Sequence, residues 1–199
     1  MNFLAHLYLS GDSEGLLIGN FIADAVKGKA HEKFSPDIQK GIILHRRIDL
    51  YTDSHPIVLS SCKRLWDKYR HYSPVIIDIF YDHFLAANWN NYSAVPLEKF
   101  ADDAYRLMEK NYELLPEKIQ FMLGYMSKQN WLVNYAQVEG IRKTLTGMSR
   151  RTPFESGMEK AVESLVEHYP IFKNEFELFF EELKKYVASE TIKLMDHNP

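Results

Sequence analysis

Cysteine is almost missing from this chain. Cys62 is the only one among 199 residues, so no intrachain disulfide can form and a cysteine-rich zinc site is excluded. Its neighbours Lys63 and Arg64 could activate a thiol, but the plainer reading is an ordinary helix cysteine. Long apolar runs are missing too, since none approaches the roughly 18 to 20 residues of a membrane span. The apolar N-terminus carries Asn2 and His6 and lacks a basic leader or a small-residue cleavage site, so it does not read as a secretion signal. A net charge of −3 argues against a bulk nucleic-acid binder. We therefore expect a cytoplasmic protein with no nucleic-acid and no membrane partner. HExxH, GxSxG, the P-loop and the dinucleotide-binding glycine fingerprint are absent. No Glu has His three residues later, which removes the carboxylate-bridged di-metal bundles.

Alternating segments with turn chemistry around them are also missing, so no sheet is expected. What is present is helical periodicity, punctuated by Pro and Gly. Ser13 is placed to cap a helix running to about Val26, with Gly28 just beyond. Ser35-Pro36 opens the next, whose apolar stripe Ile38, Gly41, Leu44, Ile48 and Tyr51 ends before Pro56. Further helices are expected over about 57–70, 74–89 and 96–112, then from Pro116, then through Met148, with two more between Gly157 and Met195. With 46% hydrophobic residues and no composition break, residues 1–199 are expected to form one all-α domain. Its first 90 residues would carry a site, and residues 96–199 would support it.

The case for a site rests on four apolar segments that each carry polar residues four apart: Asn2/His6, Asn20/Asp24, His45/Asp49 (with Asp53 one turn on) and Asp78/Asp82 (with His83 adjacent). Such residues share a helix face about 5 to 6 Å apart at Cβ. Asp78 and Asp82 are the only charged residues between Pro74 and Trp89. A helix that is apolar all round is buried, and a buried carboxylate without a partner costs several kcal/mol. A single pair of this kind is ordinarily a hydrogen-bonded core group. Four of them, with imidazoles at His6, His45 and His83, suit a divalent cation with mixed nitrogen and oxygen ligands. His55 and His71 fall at helix boundaries and read as structural or surface residues. His31, His168 and His197 read as solvent-facing or terminal.

The segments MNFLAHLYLS, GNFIADAVKG, GIILHRRIDLYTDSHP and FYDHFLAANW, in this order, resemble the acyl carrier protein phosphodiesterases. That bacterial family is distantly related to the HD-type metal phosphohydrolases. The match is strong over the first 90 residues and weaker beyond, where NWLVNYAQVEGI and LTGMSRR also look familiar. The resemblance implies an HD-like helical bundle, a divalent metal (manganese above all), and hydrolysis of holo-acyl carrier protein to the apo-protein and 4′-phosphopantetheine. It carries over onto Asp24, His45, Asp49, Asp53, Asp82 and His83. Two departures stand out: Tyr8 occupies a position where many relatives are expected to have histidine, and the adjacent pair reads Asp82-His83 rather than His-Asp.

Taken together, the expected metal ligands are His6, Asp24, His45, Asp53, Asp82 and His83, with Asp24, His45, Arg46, Asp49 and His83 in the chemistry. Arg46 or Arg47 would clamp phosphate, and a histidine would protonate the leaving serine oxygen. Charge is uneven along the chain. Residues 27–70 hold ten basic and five acidic residues, and residues 155–199 hold the reverse. Lys29, Lys33, Arg47, Lys63 and Arg64 are the expected contacts for an acidic carrier protein. Two other readings stay open: a phosphohydrolase of a nucleotide or another small phosphodiester, and a helical module that binds carrier protein without cleaving it.

Overall fold

The structure is a computed structural model and describes residues 1–196, so His197 lies outside the described residues. Among the described residues it is all-α, with no strand. Helix α1 spans Phe3–Leu9, α2 Glu14–Ile22, α3 Pro36–Ser54, α4 Pro56–Tyr69 and α5 Ser73–Ala87. Then come α6 Leu97–Lys110, α7 Glu117–Lys128, the short α8 Trp131–Asn134, α9 Val138–Ser149, α10 Ala161–Glu167 and α11 Tyr169–Asp196. No helix among the described residues is long and apolar enough to cross a membrane.

Several boundaries follow the local chemistry. The Ser13 hydroxyl accepts from Leu16 N–H at 3.4 Å and starts α2. Proline occupies the first turn of α3, α4 and α5, where its missing N–H has no intrahelical partner to lose. The α2 segment tightens into a 3-10 turn at Ala23–Ala25 instead of continuing as α-helix to Val26. The four-residue α8 was not expected from periodicity, because one helical turn carries no repeat to read.

Two glycines set the arrangement of α2 and α3. These helices run side by side in the same direction, with Gly15 against Asp37 and Gly19 against Gly41. A Cβ on Gly19 would lie 2.2 Å from the Ile38 carbonyl oxygen, and one on Gly41 would lie 2.6 Å from that of Leu16. Backbone therefore meets backbone, and the residues after Gly19 and Gly41 are pressed together. α1 packs against α2 and is held at its N-terminus by α5. The Asp82 carboxylate accepts from the backbone N–H groups of Leu4 at 2.8 Å and of Asn2 and Ala5 at 3.3 Å. The Met1 amine bonds Asp78 at 2.8 Å.

α11 closes the other side. Phe172, Phe176, Phe179 and Phe180 recur at helical spacing, are fully buried, and meet Tyr81, Phe84 and Tyr92 from the first half. The acidic tail also neutralises the basic stretch: Arg47 pairs with Glu190 at 2.6 Å and Arg64 with Glu175 at 2.8 Å.

The glycine crossing yields a stability prediction. Gly41→Ala should destabilise the fold by about 1–3 kcal/mol or more, since the new methyl meets backbone that cannot rotate away. Gly124→Ala, whose Cβ would meet nothing within 4 Å, should be neutral or stabilising. Urea unfolding of the two variants beside the parent checks this, and equal midpoints for all three would contradict it.

Candidate metal centre

The crossing of α2 on α3 delivers Asn20 to His45. His45 Nδ1 lies 2.9 Å from the Asn20 carbonyl oxygen and 3.0 Å from its side-chain oxygen. Both are acceptors, so Nδ1 carries the proton and Nε2 of the neutral ring presents its lone pair outward. Asn20 is itself fixed, its amide donating to the His6 carbonyl at 3.0 Å and to Ser10 Oγ at 2.9 Å. One side chain thus joins α1, α2 and α3.

At the outward face of His45 stand two carboxylates. Nε2 is 3.0 Å from Asp49, one turn on along α3, and 3.3 Å from Asp24, which follows α2. The His6 ring, reaching in from α1, stacks on His45 with centroids 3.9 Å apart and planes 18° apart. Its Nε2 is 3.1 Å from the other Asp49 oxygen. That oxygen lies off the line of a hydrogen bond, so both ring nitrogens of the buried His6 are without a hydrogen-bond partner. Buried polar atoms left this way are rare and call for an explanation.

Electrostatics sharpen the picture. Burial, then the neighbouring His45 charge, pushes His6 down to about 4. Burial also opposes the charged form of His45, but its hydrogen bonds to the Asp24 and Asp49 carboxylates outweigh it and raise that ring to about 9. Burial pulls Asp49 upward, and His45 and His6 nevertheless hold it well below the usual carboxylate range. The two stacked imidazoles therefore carry one positive charge between them, on His45, faced by two carboxylates. A divalent cation would supply positive charge at the same place.

The residues present fit such an ion. His6, His45 and Asp49 each offer a ligand atom, all within 4.8 Å of one another. The set is two imidazoles and a carboxylate, the mixture that manganese, iron and zinc accept. One nitrogen of the orphaned His6 ring and one of the oriented His45 ring thus belong to the same compact group as an Asp49 oxygen. Asp24, with a 70% exposed side chain, stands at its solvent edge.

Not every residue expected here is brought together. Asp82 is fully buried, and its oxygens serve the N-terminus of α1 rather than the His6–His45–Asp49 group. Burial pushes it up to about 7, against the Met1 amine and three N–H groups that favour its ionised form. The imidazole of His83 spans the Tyr135 carbonyl at 2.8 Å and the Tyr169 hydroxyl at 3.0 Å. Asp53 is exposed one turn beyond Asp49 and outside the group. The Arg46 guanidinium donates to the carbonyls of Val26 and Gly28 at 2.9 and 3.1 Å, so it ties down the turn after Asp24 instead of reaching for phosphate. Arg47 and Arg64 are engaged by α11, whereas Lys29, Lys33 and Lys63 are exposed. Burial raises the Cys62 thiol to about 12, so its basic neighbours do not activate it. Asn20 was visible only as half of an i, i+4 pair with Asp24, and nothing in that spacing said that it would orient His45.

A helical scaffold presenting a His/His/Asp cluster beside a solvent-edge carboxylate could hold a metal ion, and comparison with known proteins gives the class. The chain matches the family described as acyl carrier protein phosphodiesterase over residues 1–183. It is 37% identical to the acyl carrier protein phosphodiesterase of Photorhabdus laumondii, covering 90% of this chain and 91% of that one. It is 33% identical to those of Pectobacterium atrosepticum and Escherichia coli O6:H1, each covering 96% of this chain and all of the relative. The chain belongs to the acyl carrier protein phosphodiesterase family, a family of hydrolases. No solved structure matches it.

The geometry separates two kinds of variant. Asp49→Ala should abolish metal retention while the protein stays folded, and Asn20→Ala, which frees His45 to tip, should weaken metal affinity by about 10–100-fold. Asp82→Ala should do the reverse, lowering the melting temperature and leaving metal per folded molecule unchanged. Metal content by mass spectrometry, read beside thermal unfolding, distinguishes them. Full metal loss in Asp82→Ala with an unaltered melting curve would place Asp82 at the ion.

Proposed function

We propose that this chain hydrolyses the phosphodiester of holo-acyl carrier protein, giving apo-carrier protein and 4′-phosphopantetheine. The observation that carries this reading is the His6–His45–Asp49 cluster in a member of this family. Manganese is the ion we propose, on an HD-like helical scaffold, with the cytoplasm as the compartment. A bound divalent ion supplies a Lewis acid for a non-bridging phosphate oxygen and lowers the pKa of water toward neutrality.

The chain's own groups do the rest. His6, His45 and Asp49 hold the ion, and Asn20 keeps His45 in the ligating tautomer. Asp24 stands at the solvent edge and is placed to accept the proton of the attacking water. The water oxygen forms the new bond to phosphorus, the bond from phosphorus to the serine oxygen breaks, and a proton ends on that oxygen. Lys29 and Lys33, exposed on the turn that follows Asp24, are suited to draw in an acidic carrier.

Mass spectrometry of holo-carrier protein incubated with this protein and manganese should show loss of the phosphopantetheine arm, and chelation or Asp49→Ala should stop it. An unchanged carrier mass, beside turnover of a nucleotide or a small phosphodiester, would sink the carrier reading.

Reversing Lys29 and Lys33 to Glu should lower kcat/KM for carrier protein and flatten its salt dependence, because exposed charges act through encounter and are screened over about 8 to 10 Å. Arg64→Glu should act instead through stability, since it breaks the pair with Glu175. A salt profile identical to the parent's in the double lysine variant would make that turn an ordinary solvated face.

A further inference from the structure

The two faces of α11 follow different rules. Phe172, Phe176, Leu183 and Val187 belong to its inner face and are buried in the core. The outer face is solvated, and a solvated helix face is ordinarily polar. Four large hydrophobic residues stand exposed there nevertheless: Ile171 (44%), Leu178 (55%), Ile192 (62%) and Met195 (42%). Exposed hydrophobics scattered singly mean little, but these are in line. Ile171, Leu178, Lys185 and Ile192 recur every seven residues. Between them Asn174, Glu181, Ala188 and Met195 recur every seven as well. All eight are exposed, so no described element of the chain covers them. Alternating steps of three and four along one face make the a/d seam of a coiled coil, here about 36 Å long.

The seam is complementary to itself. A second copy of α11 can lie against it in the opposite direction, with the two-fold axis level with Leu183. Ile171 then faces the partner's Met195, and Leu178 faces the partner's Ala188. Glu181 faces the partner's Lys185. Symmetry makes each contact twice, as in any two-fold interface that closes on itself. Asn174 falls opposite the partner's Ile192, and a lone polar residue in such a seam specifies register at some cost in stability.

Charge decides the direction. A parallel pair would set Glu181 on Glu181 and Lys185 on Lys185, and like charges across an interface are repelled. The antiparallel pair makes both contacts attractive at its centre. Lys173, Lys184 and Lys193 pair with acids of their own helix, whereas Lys185 pairs with none among the described residues. Glu181 meets Lys184 through one oxygen, Oε1, at 2.7 Å. The helix is already folded against the core, so association has no backbone to order.

We propose that α11 pairs antiparallel with α11 of a second copy of this chain, giving a two-fold dimer along the seam from Ile171 to Met195.

Sedimentation velocity over micromolar to millimolar concentrations should show the mass rising from 23.3 kDa to twice that. Leu178→Asp, which a symmetric seam buries twice, should weaken association by about tenfold or more and leave the melting temperature of the exposed site's helix unchanged. Glu181→Lys and Lys185→Glu should each weaken it too, since each sets like charges across the axis. Mixed in equal amounts, those two variants should pair with each other as strongly as the parent does. Pairing within one helix cannot produce that rescue, because the two changes sit in different chains. After air oxidation, Leu178→Cys mixed with Ala188→Cys should give cross-linked chains on a non-reducing gel, and neither alone should exceed the parent. Phe121→Asp, on the exposed face of α7, should leave the mass unchanged.

A parent that stays at 23.3 kDa throughout would overturn the proposal. So would a dimer indifferent to Leu178→Asp, or one dispersed by Phe121→Asp, which would move the interface to α7. Cross-linking of Leu178→Cys with itself would make the pair parallel and overturn the two-fold arrangement described.

Discussion

Everything at the His6–His45–Asp49 cluster depends on how closely α2 approaches α3. Gly19 and Gly41 remove the side chains that would hold the two helices apart, so backbone packs on backbone. Only then can the carbonyl of Asn20 sit 2.9 Å from His45 Nδ1. That contact selects the tautomer, the tautomer aims Nε2, and the aimed nitrogen faces Asp24, Asp49 and the space next to His6. A methyl group at the crossing would thus disturb a ligand that it never touches, because interiors are too dense to absorb an extra carbon without moving something.

The buried polar groups fall into two populations with different solutions. Asp82 is satisfied by peptide: three N–H groups at a helix start supply the positive end of a dipole, and the Met1 amine adds to it. His83 is satisfied by a carbonyl and a hydroxyl. Neither ring nitrogen of His6 has a hydrogen-bond partner among the described residues. The first two organise α1 and α5, and the third is the group for which a metal is the natural partner. Desolvation cost alone does not tell these cases apart; the identity of the compensating partner does.

Much of this was legible in the sequence and some was not, for physical reasons. Helix starts at Ser13, Ser35-Pro36 and Pro116 are readable because capping and proline chemistry are local. Each of the four polar pairs has one buried member (His6, Asn20, His45 and Asp82), as an apolar segment requires, whereas Asp24 is exposed. Their destinations were not readable. Spacing says that Asp78 and Asp82 share a face, but not that the face meets peptide N–H groups instead of imidazoles. The charge asymmetry misled in a similar way. A basic stretch and an acidic tail read as two surfaces, whereas Arg47 with Glu190 and Arg64 with Glu175 show them folded onto each other. Long-range pairing of this sort leaves no local trace.

The phenylalanine ladder of α11 has a consequence in time. Its partners Tyr81 and Phe84 lie on α5, which ends about 80 residues before α11 begins. At ribosomal rates of about 5–20 residues per second, the first half of the chain waits roughly 4 to 16 seconds for its cover. During that interval the apolar face of α5 stands open to solvent and to other nascent chains. The half that carries the His6–His45–Asp49 cluster is thus the half that must be shielded longest while the protein is being made.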